Sequence, residues 1–480
     1  MGLADWADDI LHEAGQVWRG AGEIFEGSLR VGVTGLSGAG KTVFITALVA
    51  SLLNRGRMRL LRAEADGRII SAMLRPQPDP DVPRFAFESH LAALTGPTPV
   101  WPESTRQISQ LRLSMKVQPG GLISGLTGPR IVHLDIVDYP GEWLLDLPLL
   151  DQTYADWSAA AIAAATSPAR AEHAAAFRAA LDAADPTGVM DEATATNLAD
   201  SFRAYLRTCR DAGLSALAPG RFLMPGDLDG SPALTFAPLP AAPRAGRRSL
   251  YREMEDRFGA YKRLVVKPFF RTHFASLDRQ VVLVDALGAL AGGPRAIADL
   301  TQAMADTLSC FRHGENSWLD RLLGGRRIEK LLIVASKADH LHHEQHPQLT
   351  QLVEAMLDEA TRRAAFRGAE TRAMAIAAIR ASAEQEITHQ GAEIGVVRGQ
   401  RAEDGKEVAL FPGKLPTDTA GLLSGASASD PGEAPAAWTG DAAFARPAFA
   451  PPRWGGSAGD GPPHIRLDRA LDFLIGDRLE

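Results

Sequence analysis

Between Leu29 and Leu53 a short apolar run passes through GLSGAGKT, residues 35 to 42, into a stretch whose apolar residues recur at helical spacing. A strand that enters a helix through G-x-x-x-x-G-K-[ST] admits few architectures. The turn needs glycines, the helix must lie back on a sheet, and the sheet must continue to either side of the strand. Gly35 and Gly40 free the backbone to wrap N–H groups around phosphate oxygens, with Ser37, Gly38 and Ala39 between them. Lys41 supplies a cation to the terminal phosphates, Thr42 offers a hydroxyl to Mg²⁺, and Val43 continues the first helical turn, whose positive dipole end adds to the attraction. The motif predicts a nucleoside triphosphate site and leaves base and reaction open.

Two later segments narrow it. Ile131 to Val137 reads as a buried strand ending in Asp138, with Gly141 three residues on. A carboxylate at a strand's C-terminal end can hold Mg²⁺ through water, and a glycine at that spacing can turn its N–H to a γ-phosphate, the D-x-x-G sensor of a switch GTPase. Leu331 to Ala335 reads as another strand, followed by Ser336-Lys337-Ala338-Asp339 in the place of an [NT]-K-x-D element. Asp339 would accept two hydrogen bonds from guanine, whose N1–H and amine adenine lacks, while Lys337 lays its stem over the base and the Ser336 hydroxyl ties the loop to the phosphate loop. A solvated Lys-x-Asp loop is the plain alternative. Ser382-Ala383 resembles the S-A-[KL] loop that contacts the guanine oxygen. Ser104 and Thr105 are candidates for the second Mg²⁺ hydroxyl, with Thr105 preferred and an ordinary helix cap the other reading. The residue after Gly141 is Glu142, where switch GTPases carry a water-orienting Gln or His; its carboxylate polarises water but repels a γ-phosphate, so slow intrinsic turnover is expected. Arg106 reads either as an arginine finger supplied in cis or as a surface arginine.

With those residues in view, the chain resembles the YcjX family of bacterial P-loop NTPases. The resemblance rests on GLSGAGKTVFITALV, WPESTRQISQLRL, LDIVDYPGEWLLDLPLL, DRQVVLVDALGAL and SKADHLHHEQHPQL, and runs from about Gly32 to Phe411. It implies a GTPase-type P-loop protein with an α/β, doubly wound sheet, a stress-associated role, and a small membrane protein as partner. GTP, or ATP, with Mg²⁺ is the expected ligand.

The order of the motifs sets the organisation. Residues 28–145 are expected to form the first part of the nucleotide-binding domain. Residues 278–415 would form its second part, with a strand at Val281 to Asp285 and a hairpin around Asp404-Gly405. The Ala-rich stretch 146–277 then reads as a helical insertion, with Phe177, Leu181, Phe202, Tyr205 and Leu206 on its inner faces. Residues 416–463, rich in Pro, Gly, Ala and Ser, read as an irregular or mobile excursion, and 464–480 as a last helix on the sheet. Residues 1–27 carry one interrupted apolar stripe, either a helix packed on its own domain or one docked on a membrane or partner.

Composition closes off other classes. Lys and Arg total 51 against 58 Asp and Glu, a net charge of −7, which advertises neither nucleic acid nor an anionic surface. Two distant cysteines, Cys209 and Cys310, form no disulfide framework, and no signal sequence or membrane span is visible, so a cytoplasmic location is expected, with the inner-membrane periphery as the resemblance's variant. In DHLHHEQH, His342 and His346 are four apart, but no carboxylate or cysteine is spaced to complete a metal site and H-E-x-x-H is absent; a polar helix start is expected there. The rival functional classes are a nucleotide-dependent interaction module for a membrane-protein partner, with incidental hydrolysis, and a P-loop ATPase. Oligomeric state has no signature in the chain.

Overall fold

The strands of this computed structural model follow from runs that are apolar on both faces. It describes residues 28–103, 107–120, 128–308, 328–366, 368–389, 391–419, 422–423, 444, 448–454 and 459–480. Thr105, Ser104, Arg106, Cys310 and the stripe within 1–27 lie outside them.

Strand β1 (Leu29–Gly35) enters helix α1 (Lys41–Leu53) through the glycine turn. Strands β2 (Ile69–Arg75), β3 (Ser109–Val117) and β4 (Arg130–Asp138) follow, then β5 (Arg279–Val284), β6 (Lys330–Ala335) and β7 (Glu370–Ala375). They form one seven-stranded sheet in the order β2-β3-β4-β1-β5-β6-β7. β4, β1, β5, β6 and β7 run parallel, whereas β3 pairs antiparallel with β4 and β2 with β3. The chain therefore has an α/β P-loop NTPase-like fold with a mixed sheet and a large helical insertion. Alternate residues of each parallel strand enter opposite cores: Leu331, Ile333 and Ala335 face one, Leu332 and Val334 the other. Burial on both faces is what makes such strands read as continuous apolar runs.

Helix α1 fills the second core with Phe44, Ile45, Leu48 and Leu52, joined there by Leu467, Leu471, Leu474 and Ile475 of the C-terminal helix (Leu467–Ile475). On the first core's side, the chain between β4 and β5 is helical: Tyr154–Thr166, Ala175–Ala183, Glu192–Asp211 and Leu250–Tyr261 are its longer elements. Phe177, Leu181, Phe202, Tyr205 and Leu206 are all buried in it, within an aromatic cluster in which Trp157 stacks on Phe258 at 4.8 Å.

This helical segment grips the stretch that follows β4, the 3₁₀ run Gly141–Asp151. Asp146 is buried there and accepts from the Tyr261 hydroxyl at 2.5 Å and from the Gly220 N–H at 2.7 Å. The Arg221 guanidinium lies 3.2 Å from the centre of the Trp143 ring, a cation–π contact. A second small sheet, β8 (Ser382–His389), β9 (Ala392–Gln400) and β10 (Glu407–Leu410), forms an antiparallel meander, and its β9–β10 turn contains Gly405 at φ 69°. The sequence suggests little but irregular backbone for 416–463. Most of it lies outside the described residues, yet Ala450 donates to the Gln400 carbonyl at 2.8 Å and Phe449 bridges to Arg401, because the hairpin's free edge supplies the missing partners.

Desolvation pushes the Asp146 carboxyl up from 3.8 to about 6, against the lowering effect of its hydrogen bonds. The folded protein keeps this proton until about pH 6, whereas the unfolded chain releases it near 4, so stability falls as pH rises through that window. The effect on the parent between pH 7.5 and pH 5 is a gain of about 1.4 kcal/mol. Asp146→Asn does not titrate; in thermal melts its Tm deficit against the parent should widen toward pH 5, and a pH-independent deficit would show that Asp146 does not carry the proton.

Candidate functional site

The glycine turn is built by backbone conformations that L side chains avoid. Gly38 and Gly40 sit at φ 81° and 89°, and Gly40 caps α1 in the left-handed region. The loop from Leu36 to Phe44 lines a cavity of about 360 Å³, with Lys41 and Thr42 on its wall. Ser336, Lys337, Asp339 and His340, from the end of β6, line the same cavity, with Ile376 to Ile379 from the end of β7 and Trp101 and Phe449. The cavity lies at the C-terminal ends of parallel strands, where an open α/β sheet binds ligands.

Lys337 joins the two halves. Its backbone is left-handed at φ 62°, its Nζ donates to the Gly38 carbonyl at 2.7 Å, and it is ion-paired with Asp285 at 2.6 Å. The sequence assigns the link to the phosphate loop to Ser336. The structure corrects this: the Ser336 hydroxyl donates to the Val284 carbonyl of β5 at 3.2 Å, too short a side chain to cross the gap that the lysine spans. Asp339 is buried, with its Oδ2 accepting the Ala381 N–H at 2.8 Å. Further acceptor positions remain on that carboxylate.

Ser382 and Ala383 take a different place. They open strand β8 instead of a loop, and the Ser382 hydroxyl donates to the Asp339 carbonyl from behind. Pairing with β9, Ser382 opposite Gly399 and Ala383 opposite Arg398, holds them away from the cavity wall, which Ala377 to Ile379 form instead. Those wall residues, with Trp101 and Phe449, carry no site role in the sequence reading, which takes Ala373 to Ile379 only as an apolar run. Trp101 lies within WPESTRQIS, and its indole donates to the Phe449 carbonyl at 2.8 Å across 348 residues, a contact no local pattern carries.

Asp138 ends β4 opposite Val33 of β1, buried beneath the glycine turn. The Thr42 hydroxyl donates to the Glu103 carbonyl at 3.3 Å, so the chain leading to Thr105 passes over the start of α1. A hydroxyl, a buried carboxylate and a lysine are hard oxygen donors and a cation, a set that fits Mg²⁺ with a polyphosphate. Gly141 packs on the turn itself: a Cβ there would lie 2.6 Å from the Gly35 carbonyl carbon and oxygen and 3.0 Å from the Leu36 nitrogen. Glu142 is buried, and its Oε1 accepts the Ser37 N–H at 2.9 Å, occupying a donor of the glycine turn.

Residues 29–479 match the model of the YcjX-like family, DUF463. The chain is 37% identical over 464 residues to the protein named Ras-like GTPase YcjX of Escherichia coli (strain K12), covering 94% of this chain and 96% of that one. It is 36% identical over 478 residues to the protein of that name from Shewanella oneidensis, with coverages of 94% and 95%.

Gly141→Ala pits a methyl against backbone, which no rotamer change can relieve. A loss of about 1–3 kcal/mol is expected, read as a Tm drop of several degrees. Gly246→Ala, where nothing lies within 4 Å of the added carbon, is the comparison. Equal melting of the two variants would place Gly141 away from the turn.

Proposed function

The chain belongs to the YcjX-like family, and from that premise we propose that it is a Mg²⁺-dependent GTPase of slow intrinsic turnover that works as a molecular switch. The observation that carries this reading is one cavity lined both by Lys41 of the glycine turn and by the buried Asp339, whose carboxylate keeps acceptor positions beyond the Ala381 N–H. Base and terminal phosphate of one nucleotide then meet different parts of its lining. The backbone N–H groups of Gly38 to Val43 bind phosphate oxygens and Lys41 neutralises the terminal ones. Asp339 accepts the guanine N1–H and amine, and Lys337, held to Gly38, keeps the base loop at a fixed distance from the phosphate loop. Mg²⁺ would be held by Thr42, Thr105 and, through water, Asp138; it would neutralise charge on the β- and γ-oxygens during transfer.

Glu142 gives the switch its character. Its carboxylate takes the Ser37 N–H, and a γ-phosphate arriving beside it brings like charge to the same donors. Triphosphate binding therefore pushes Glu142 off the turn, while a diphosphate leaves it in place. Its neighbourhood is stiff: a Cβ on Gly220 would fall inside the Glu142 carbonyl, Trp143 stacks under Arg221, and Asp146 holds Gly220. Movement of Glu142 is thereby passed to the helical segment, which supplies the effector surface. The same engagement of Glu142 favours one second reading, an interaction module whose hydrolysis is incidental, since this carboxylate is committed to a backbone donor of the glycine turn. The stress-related role and the small membrane-protein partner at the membrane periphery come from the family resemblance. Among the described residues no helix is long and apolar enough to cross a membrane.

Competition of GTP and ATP against a fluorescent guanine nucleotide, with Mg²⁺, tests the base. GTP should win by well over tenfold; equal competition would make the protein a general P-loop NTPase. Asp339→Asn removes two charge-assisted hydrogen bonds, each about 1.5–3 kcal/mol, and should weaken GTP by on the order of a hundredfold or more while leaving ATP unchanged. Glu142→Gln keeps an acceptor for Ser37 but removes the charge. It should tighten a non-hydrolysable triphosphate over GDP by roughly tenfold, the scale of one such interaction at 1.4 kcal/mol. An unaltered ratio would detach Glu142 from γ-phosphate sensing.

A further inference from the structure

Next to the base loop, among residues that do not line the cavity, the fold completes a constellation that the sequence leaves open. His346 is committed elsewhere: its Nε2 donates to the Ala338 carbonyl at 2.8 Å, and its Nδ1 accepts from Arg466 at 3.0 Å. His342 and His343 instead meet Glu384, brought from 41 residues downstream by strand β8. The His343 Nδ1 lies 2.6 Å from the Glu384 Oε2, and the His342 Nε2 lies 4.0 Å from the same oxygen. One ligand atom from each of the three residues falls within 4.8 Å of the others.

We propose that His342, His343 and Glu384 form a binding site for a zinc-type divalent cation that clamps the base loop to the β8–β9 hairpin. Two imidazoles and a carboxylate are a common ligand set for this ion, with a fourth position left to water. Tetrahedral ligands about 2.0–2.1 Å from a metal stand roughly 3.3 Å apart. The observed 2.6 and 4.0 Å straddle that value and the two imidazoles stand within 4.8 Å of each other, so closing the set needs movements of about 1–1.5 Å. The His343 side chain is 61% exposed and can make the adjustment.

A second observation is independent of the ligand distances. The His342 side chain is only 6% exposed, and its buried Nδ1 has no hydrogen-bond partner among the described residues. A cation on Nε2 would fix the proton on Nδ1, and the Glu344 Oε2, already 3.5 Å from Nδ1, is placed to receive it. Metal-bound histidines use outer carboxylates in this way. The ring is seated by β9: a Cβ at Gly395 would lie 2.6 to 2.8 Å from its atoms. Arg380 stands 3.7 Å from the other Glu384 oxygen and leaves Oε2 to the ion.

The consequence reaches the cavity. Asp339 and Ser382 already join the same two segments, through the Ala381 N–H and the Ser382 hydroxyl. A cation three residues beyond Asp339 and two beyond Ser382 would lock that junction.

Full-length, chelator-stripped protein, free of nucleotide and in excess Mg²⁺, is titrated with Zn²⁺ against a chromophoric chelator. One Zn²⁺ per chain at micromolar or tighter Kd is expected, with a Zn²⁺-dependent rise in Tm. His343→Ala and Glu384→Gln should each weaken it by at least tenfold and abolish the Tm rise. Both positions tolerate substitution, and equal Tm in chelator verifies that they fold. Gly395→Ala, which displaces the His342 ring without removing a ligand, should also weaken Zn²⁺. No binding by the parent, or equal binding by the parent and both ligand variants, would overturn the proposal and leave His343 and Glu384 as an ion pair.

Discussion

Everything in the site hangs on the contact of two glycine backbones. Gly141 rests on Gly35 so closely that a methyl group cannot enter, which brings the end of β4 against the turn between β1 and α1. β4 and β1 are parallel neighbours with Asp138 opposite Val33; β1 runs two residues past that level to Gly35, and the chain leaving β4 reaches it at Gly141. The distance from the glycine turn to the 3₁₀ run beyond Gly141 is then fixed by main chain alone. Glu142 can reach the Ser37 N–H only because of that approach.

From that contact two rigid paths lead away. One runs through Glu142, Trp143 and Asp146 into the helical segment, where Gly220, Arg221 and Tyr261 close on them. Here burial raises the carboxyl of Asp146, so the junction contains a group that titrates near neutrality inside an otherwise apolar cluster. The other path runs through Lys337 from Gly38 to the base loop and on to β8, where Asp339, Ala381 and Ser382 are hydrogen-bonded. The glycine turn thus carries two charged links, Glu142 from the 3₁₀ run beside the Gly141 backbone contact and Lys337 from the loop after β6. Such an arrangement lets a ligand act on both at once, since packed interiors transmit displacement and do not absorb it.

The proposed cation site stands at the outer end of the second path. It contributes no group to the cavity, yet it lies where the base loop and the hairpin meet, so it would set how firmly Asp339 is presented. The helical segment and the hairpin are then separate elements that border one cavity region, the first joined to it through Glu142 and the second through Asp339.

Local chemistry made much of this legible in the sequence. Parallel strands buried on both faces read as apolar runs, and the glycine turn, D-x-x-G and K-x-D elements stand at their ends because those backbones must turn there; the α/β sheet and its residues Gly35 to Thr42, Asp138, Gly141 and Asp339 follow from short-range constraints. Strands β2 and β3, at the antiparallel end of the sheet, escaped notice, since their pairing depends on partners elsewhere in the chain. Which residue bridges the two loops, Lys337 and not Ser336, depends on a gap width that only packing sets. Glu384 beside His342 and His343, Phe449 beside Trp101, and Glu142 on the Ser37 N–H are decided in the same way. Sequence determines what each residue can donate, accept or bury; the fold decides which of them meet, because contacts over tens to hundreds of residues depend on strand order and register, which no local pattern encodes.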